Sequence, residues 1–251
     1  MQRYFIPTDG WLQNEKVEIL DGDHHHIATV MRMKPGDEII CCHPNGRSCL
    51  CEIEEINNQL VSCRIVKWLE EHKELPVSVT IAQALPKGDK LDLIVQKGTE
   101  LGASAFIPFE ASRSVVKWDP KKADKKVSRL VKIAKEASEQ SHRTKIPEIH
   151  SLVSFKQLLQ KVHSYKHIIV ASEVEAKKDE PVRLSTSIQQ MSLGDEVLVV
   201  IGPEGGFSEQ ELDLLAKEDS QFTRFGPRIL RTETAALYFL SVMSYQFEEQ
   251  R

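Results

Sequence analysis

No run of apolar residues in this chain approaches the roughly 18 needed to cross a bilayer, and the opening MQRYFIPTDGW lacks the apolar core of a secretory signal. A cytoplasmic protein with no membrane partner is therefore expected. Cysteines are few: Cys41, Cys42, Cys49, Cys51 and Cys63 are odd in number and confined to the first quarter, which does not fit a secreted disulfide scaffold. They also lack the C-x2-C pairs of common zinc sites. Cys49 and Cys51 alternate around Leu50, so a strand would place both on one face. Reduced thiols and no metal are the expectation. The short run His24-His25-His26 reads as a loop or helix start ahead of Ile27, Val30 and Met31. Both phosphate-loop signatures, G-x-x-x-x-G-K-[ST] and G-x-G-x-x-G, are missing. So are internal repeats and low-complexity tracts. A net charge of -4 with 28% charged residues is ordinary and does not predict nucleic-acid binding by itself.

What is present divides in two. The 251 residues, 41% of them hydrophobic, suffice for one large domain or two small ones. Up to about Lys67 the chain is rich in short β-branched segments: VEIL (17–20), DEIICC (37–42), CLCEIEEI (49–56) and LVSCRIVKW (60–68). Turns such as Lys34-Pro35-Gly36-Asp37 and Pro44-Asn45-Gly46 separate them, and one short helix over about 23–32 interrupts. This pattern predicts a small β-barrel. LEEHKELP (69–76) reads as a linker, giving domains over 1–70 and 77–251 joined by 71–76.

Beyond the linker, strand and helix patterns alternate. Strands are predicted at 77–85, 105–110, 167–173, 196–202 and 222–226, and helices at 90–101, 120–140, 155–162, 208–219 and 233–248. Such alternation implies an α/β domain with a mostly parallel sheet.

Four stretches carry candidate chemistry. In VVIGPEGGFSEQEL (199–212), a buried strand meets a glycine loop, and Ser208 followed by Glu211 forms a capping box. Glu204 would repel a pyrophosphate, whereas a cationic cofactor without phosphate, such as S-adenosylmethionine (SAM), would not be repelled. A plain strand-to-helix turn whose glycines supply positive φ also fits. In FGPRILRTETAAL (225–237), Gly226-Pro227 makes a turn and Thr232 is the expected N-cap of the last helix, with Glu233 in its first turn. In QALPKGDKLDLIVQKGTELG (83–102), Lys87, Lys90 and Lys97 read as polar positions on an amphipathic helix. From Lys117 to Lys135 there are eight Lys or Arg against two Asp. On a helix, Lys121, Lys125, Arg129 and Lys132 share one face, while Val127, Leu130, Val131 and Ala134 hold the other. That face is either simply solvated or a phosphate-contacting stripe.

Taken together, QALPKGDK, IVQKGTELG, SRSVV, EASEQSHR, VIGPEGGFSEQEL and GPRILRTETAAL resemble the bacterial 16S rRNA (uracil-N3) methyltransferase family, RsmE, of the SPOUT superfamily. The resemblance spans essentially the whole chain, including the opening RYF and the VMRMKPGDEI segment. It implies a PUA-like RNA-binding barrel followed by a SPOUT α/β trefoil knot, with the chain near 200–235 threaded through a loop. It also implies a homodimer that methylates N3 of a uridine in the decoding region of 16S rRNA on the small ribosomal subunit. The SAM-binding positions it implies are Ala171, Ser172, Ile201, Gly202, Gly206, Gly226, Ile229, Leu230, Arg231, Thr232 and Ala235. Uridine N3 must lose a proton, align with the methyl group and have the charge on its oxygens balanced. Arg231 is the candidate for balancing that charge. Glu204 is the candidate base or base-orienter, with a sulfonium contact or a structural role as alternatives. Arg3, Arg32, Arg113, Lys121, Lys125, Arg129 and Arg143 are candidates for gripping RNA. Two other readings stay open: an RNA-binding ribosome-assembly factor with a vestigial pocket, and a SPOUT enzyme for tRNA or another rRNA base. The cysteine-rich strand pair and the three histidines depart from the family but touch none of these motifs.

Overall fold

The computed structural model describes residues 1–13, 15–173 and 180–250. The chain divides into two compact units, Met1–Glu74 with Ser138–Ile146, and Leu75–Ala137 with Pro147–Arg251.

The first unit contains β1 (Arg3–Phe5), β2 (Lys16–Ile19), α1 (Asp21–His25), β3 (Glu38–Cys42), β4 (Ser48–Ile56) and β5 (Val61–Leu69). The strands form one sheet in the order β1-β3-β4-β5-β2. Ladders are antiparallel except β1–β3, which is parallel. All five strands send side chains into one core: Tyr4, Val17, Ile19, Ile39, Cys41, Cys49, Cys51, Ile53, Val61, Cys63 and Ile65 are buried in it. A sheet whose end strands share a core is curled, and among the described residues β1 and β2 form no ladder with each other, which leaves the barrel open along that seam. The expected helix at 23–32 is shorter: α1 passes at His26–Val30 into a wider turn, closed by the Met31 N–H donating to His26 O at 2.8 Å. All five cysteines are buried free thiols. Burial pushes Cys42 up to about 11 and Cys63 to about 12.

Ser138–Ile146 joins this unit through charge. Arg143 is buried and donates to Glu74 Oε2 from Nε at 3.1 Å and from Nη2. The Thr144 and Lys145 N–H groups donate to the other oxygen of Glu74 at 2.8 and 3.1 Å. Arg3 Nη1 donates to the Arg143 carbonyl at 3.1 Å, while Arg3 Nη2 reaches both oxygens of Glu71 at 2.8 and 2.9 Å. The EASEQSHR motif therefore acts here as a staple.

The second unit holds β6 (Ser78–Ala84), α2 (Lys90–Glu100), β7 (Ala105–Glu110), α3 (Pro120–Gln140, its last three residues counted with the first unit), β8 (Glu148–Ile149) and β9 (Val153–Ser154). Then come α4 (Phe155–Lys161), β10 (His167–Ala171), α5 (Leu184–Ile188), β11 (Glu196–Ile201), α6 (Glu209–Ala216), β12 (Gln221–Thr223) and α7 (Thr232–Ser244). The sheet is parallel throughout, in the order β12-β10-β11-β6-β7-β8, with β9 also pairing β7. β6 and β11 are buried almost end to end, as expected of central strands covered on both faces. Gly98 lets α2 approach closely, since a Cβ there would sit 2.8 Å from the Phe106 ring. Because every strand points the same way, the loops after β6, β10, β11 and β12 leave from one edge of the sheet, where open α/β sheets place their ligands.

On α3, Leu130 and Ala134 are buried as the periodicity predicts, but Val131 is 44% exposed.

Candidate active site

β11 is a buried run, EVLVVI, that stops at Gly202-Pro203 because proline cannot continue a ladder. The Gly206 N–H then donates to Pro203 O at 2.9 Å, closing a turn in which Gly206 has φ +66, a region disfavoured for side chains. Ser208 caps α6 and forms the expected box with Glu211. Glu211 does more than the box requires. Its carboxylate also accepts from Ser112 N at 2.7 Å and Ser112 Oγ at 2.8 Å, tying the SRSVV loop to this turn. Burial alone would raise Glu211, but the donors from Ser208 and Ser112 outweigh it and hold the carboxyl below its usual value.

The second loop runs from β12 to α7. Thr232 is not the N-cap; Arg231 occupies that place and makes no side-chain cap bond. The Thr232 hydroxyl is engaged elsewhere. It donates to Gly202 O at 2.7 Å and accepts from Gln83 Nε2 at 2.8 Å, joining the ends of β6, β11 and the start of α7 through one buried oxygen.

A third tie comes from α2. Lys90 Nζ lies 2.9 Å from Glu204 and 3.2 Å from Glu233, and the Lys87 N–H donates to the same Glu204 oxygen at 3.1 Å. The three motifs PKGDK, GPEGG and RTETAA thus meet at one ammonium. Burial would raise Glu204, but Lys90 and the Lys87 N–H hold it below the usual carboxylate range. The hydrogen bond to Glu204 raises Lys90 in turn.

These ties enclose a cavity of about 530 Å³. Of the eleven cofactor positions implied by the resemblance, ten line it: Ala171, Ser172, Ile201, Gly202, Gly206, Ile229, Leu230, Arg231, Thr232 and Ala235. Gly226 does not; with φ +77 it shapes the turn behind the lining. Glu204 and Arg231 both line the cavity. Lys90, read from the sequence only as a polar helix position, lines it as well, as do Glu173, Pro203, Gly205, Phe207, Leu212, Phe225 and Arg228, which the sequence does not single out, although Pro203, Gly205 and Phe207 are contiguous with the glycine loop. Glu204 is no free carboxylate, since Lys90 neutralises it. The acid in the loop therefore does not by itself exclude a phosphate, because Arg113, Arg228 and Arg231 stand around the same cavity.

The RNA candidates separate sharply. Arg3 and Arg143 are 2% and 4% exposed and are spent on Glu71 and Glu74, so neither can reach a phosphate. That is a correction, and its cause is long-range pairing that a local reading treats as a solvated arginine. Arg32, Arg113, Lys121, Lys125 and Arg129 are exposed. Of these, Arg129 pairs with Asp92, and Arg113 Nη1 donates to Gly205 O at 3.3 Å, on the GPEGG loop itself. Among the described residues no helix is long and apolar enough to cross a membrane, and no His, Cys, Asp or Glu cluster is arranged to hold a metal ion.

A family described as the RNA methyltransferase domain matches residues 73–244, and the RNA methyltransferase PUA domain matches residues 19–66. Ribosomal RNA small subunit methyltransferase E of Bacillus subtilis (strain 168) is 49% identical over 250 residues, covering 99% of this chain and 98% of that protein. A protein of Legionella pneumophila solved with bound SAM has a TM-score of 0.81 at 30% identity, covering 97% of each chain. Ribosomal RNA small subunit methyltransferase E of Neisseria gonorrhoeae, bound to S-adenosyl methionine, has a TM-score of 0.84 at 25% identity over 98% of each chain.

Proposed function

This chain belongs to the ribosomal RNA small subunit methyltransferase E family, and from that premise we propose that it transfers a methyl group from SAM to N3 of one uridine in 16S rRNA. The observation that carries this reading is the convergence of the GPEGG and RILRTETA loops on one cavity, fastened by the Thr232 hydroxyl. The cavity fits the cofactor: its volume lies within the range of small-molecule sites, and Ile201, Leu212, Phe225 and Leu230 offer apolar walls beside backbone-rich turns. Bound SAM would supply an electrophilic methyl group on a sulfonium.

The chain's own residues supply the rest. Gly202, Gly206 and Leu230 hold the cofactor through their loops, and Thr232 keeps those loops in register. Arg231, at the mouth of α7, is placed to donate to uracil oxygens as charge builds on them. Glu204 fits a positioning role better than that of a base, because a carboxylate held down by Lys90 is a weak proton acceptor. Arg32, Lys121 and Lys125 present exposed cations for phosphates, which predicts salt-dependent affinity.

We assign RNA binding to 1–70 and methyl transfer to 77–251, joined by 71–76, except that Glu71, Glu74 and the later Ser138–Ile146 pack with the first unit. A homodimer acting on small subunits in the cytoplasm completes the reading. Exposed Ile229 and Tyr245 are apolar surface that a second copy could cover. Light scattering on the purified protein tests the dimer, and a mass near one chain would reject it. Incubating purified protein and radiolabelled SAM with small subunits that lack the modification tests the reaction. Label in 16S rRNA is expected, and its absence would reject the reading.

A further inference from the structure

The first unit carries an aromatic stack that the methyl-transfer cavity does not use. Trp11 caps the barrel core, and its Nε1 donates to Ile6 O at 3.1 Å. A register shift between Leu50 and Cys51 brings Trp68 opposite Cys49, where its ring lies 5.8 Å from that of Trp11 at an interplanar angle of 18°. His43 meets the other indole edge-on at 4.9 Å. The Arg47 guanidinium sits 4.1 Å above the Trp68 ring. Trp11 has a structural reason to be there. Trp68, at 38% exposure, and the exposed Arg47 lie outside the core that Trp11 caps.

The surroundings are those of a base-binding surface. Next to Arg47 is a recess of about 300 Å³ lined by Gly46, Ser48, Leu69 and Thr144, among others. The stem of Lys145 runs against Gly46, which puts a second exposed cation beside Arg47. Of the acids here, Glu71 is engaged by Arg3 and Ser48, which leaves Glu70 as the exposed carboxylate of the recess. An indole face flanked by cations is the arrangement that holds unpaired nucleobases, because every base offers a π-face and every nucleotide a phosphate.

We propose that Trp68 and Arg47 form a stacking site for an unpaired base of RNA, backed by Trp11. The base takes the place of the guanidinium on the indole, and Arg47, on its flexible stem beside Lys145, moves to the adjoining phosphate. The proposal rests on the reading of the chain as acting on RNA and adds where the N-terminal unit grips it.

The test uses the full chain with Trp118→Phe, so that emission comes from Trp11 and Trp68. Two probes are titrated: single-stranded oligouridylate, and an abasic phosphodiester oligomer of equal length. Oligouridylate is expected to quench the emission and the abasic oligomer to leave it intact, since only a base can stack. Equal quenching by both would overturn the proposal. In methylation assays on small subunits, Arg47→Ala and Trp68→Leu are each expected to raise KM about tenfold, while SAM affinity holds. Trp68→Phe is expected to recover most of the loss, which controls for folding. Unchanged KM and unchanged oligonucleotide affinity in both Arg47→Ala and Trp68→Leu would assign the surface to a protein partner and overturn the RNA site. If the wild-type chain transfers no methyl group at all, the functional reading fails, and the quenching experiment still decides the stacking site.

Discussion

Two ion-pair clusters in this molecule use the same chemistry to different ends. In the first unit, Arg3 and Arg143 are buried to 2% and 4% exposure and reach Glu71 and Glu74 through forked hydrogen bonds. In the second, the side chains of Lys90 and Glu204 keep 30% and 27% of their surface in solvent, at the lining of the cavity, with Glu233 as a third member. The buried pair fixes a fold, because a guanidinium taken out of water must keep its partner. The half-exposed one is worth little as a pair. Its use is to hold three segments of a cavity wall in register.

The contrast can be broken most severely at Arg143. Arg143→Ala leaves Glu74 without its cation and is expected to cost about 3 kcal/mol of stability, measured by urea unfolding. Arg143→Lys should recover only part, because an ammonium lacks the fork. Acid should act in the same place. Burial would raise Glu74, but Arg143 and the Thr144 and Lys145 N–H groups hold it below its ordinary value. A carboxyl with a lowered folded value stabilises above the ordinary carboxylate range and loses that contribution as pH falls through the lowered value. Unfolding monitored against pH should therefore show loss of stability below about pH 4.

Next in size is the hydroxyl that joins the loops. Thr232→Val removes the donor to Gly202 O and leaves Gln83 Nε2 with Ala84 O as its remaining acceptor. The expected cost is about 1–3 kcal/mol, with weaker SAM binding by calorimetry, and Thr232→Ser should restore both.

A smaller effect separates the barrel core from the rim. Burial raises the Cys42 and Cys63 thiols to about 11 and about 12, above their ordinary value. Unfolded thiols ionise first as pH rises, so stability should decline above about pH 9. The native protein should also leave all five thiols unreactive toward a thiol reagent until it is unfolded.

The smallest change is expected from Glu204→Gln. Loss of a partly exposed pair costs under about 1 kcal/mol, and a latch should leave the shape of the pH–rate profile unchanged. Disappearance of one limb of that profile would make Glu204 the base.

Much of this was legible in the sequence because it is local. Strand runs, the Ser208–Glu211 box and the two loops around Gly206 and Arg231 follow from neighbours a few residues apart. The pairing of Arg3 with Arg143 spans 140 residues, and nothing in RYF or EASEQSHR separates a buried arginine from a solvated one. Thr232 matched an N-cap signature, and only the fold shows its hydroxyl turned to Gly202 and Gln83. Lys90 read as one more polar position on α2, because its partners lie 114 and 143 residues away. The aromatic stack escaped for the same reason: Trp11 and Trp68 become neighbours only when β5 folds back past a bulge.

The central claim is methyl transfer to uridine N3, and nucleoside mass spectrometry tests it most directly. 16S rRNA from small subunits that lack the modification is incubated with purified protein and SAM, then digested. One 3-methyluridine per 16S rRNA, absent without SAM, is the outcome this account requires. No methylated nucleoside, or methylation of a different base, would contradict it.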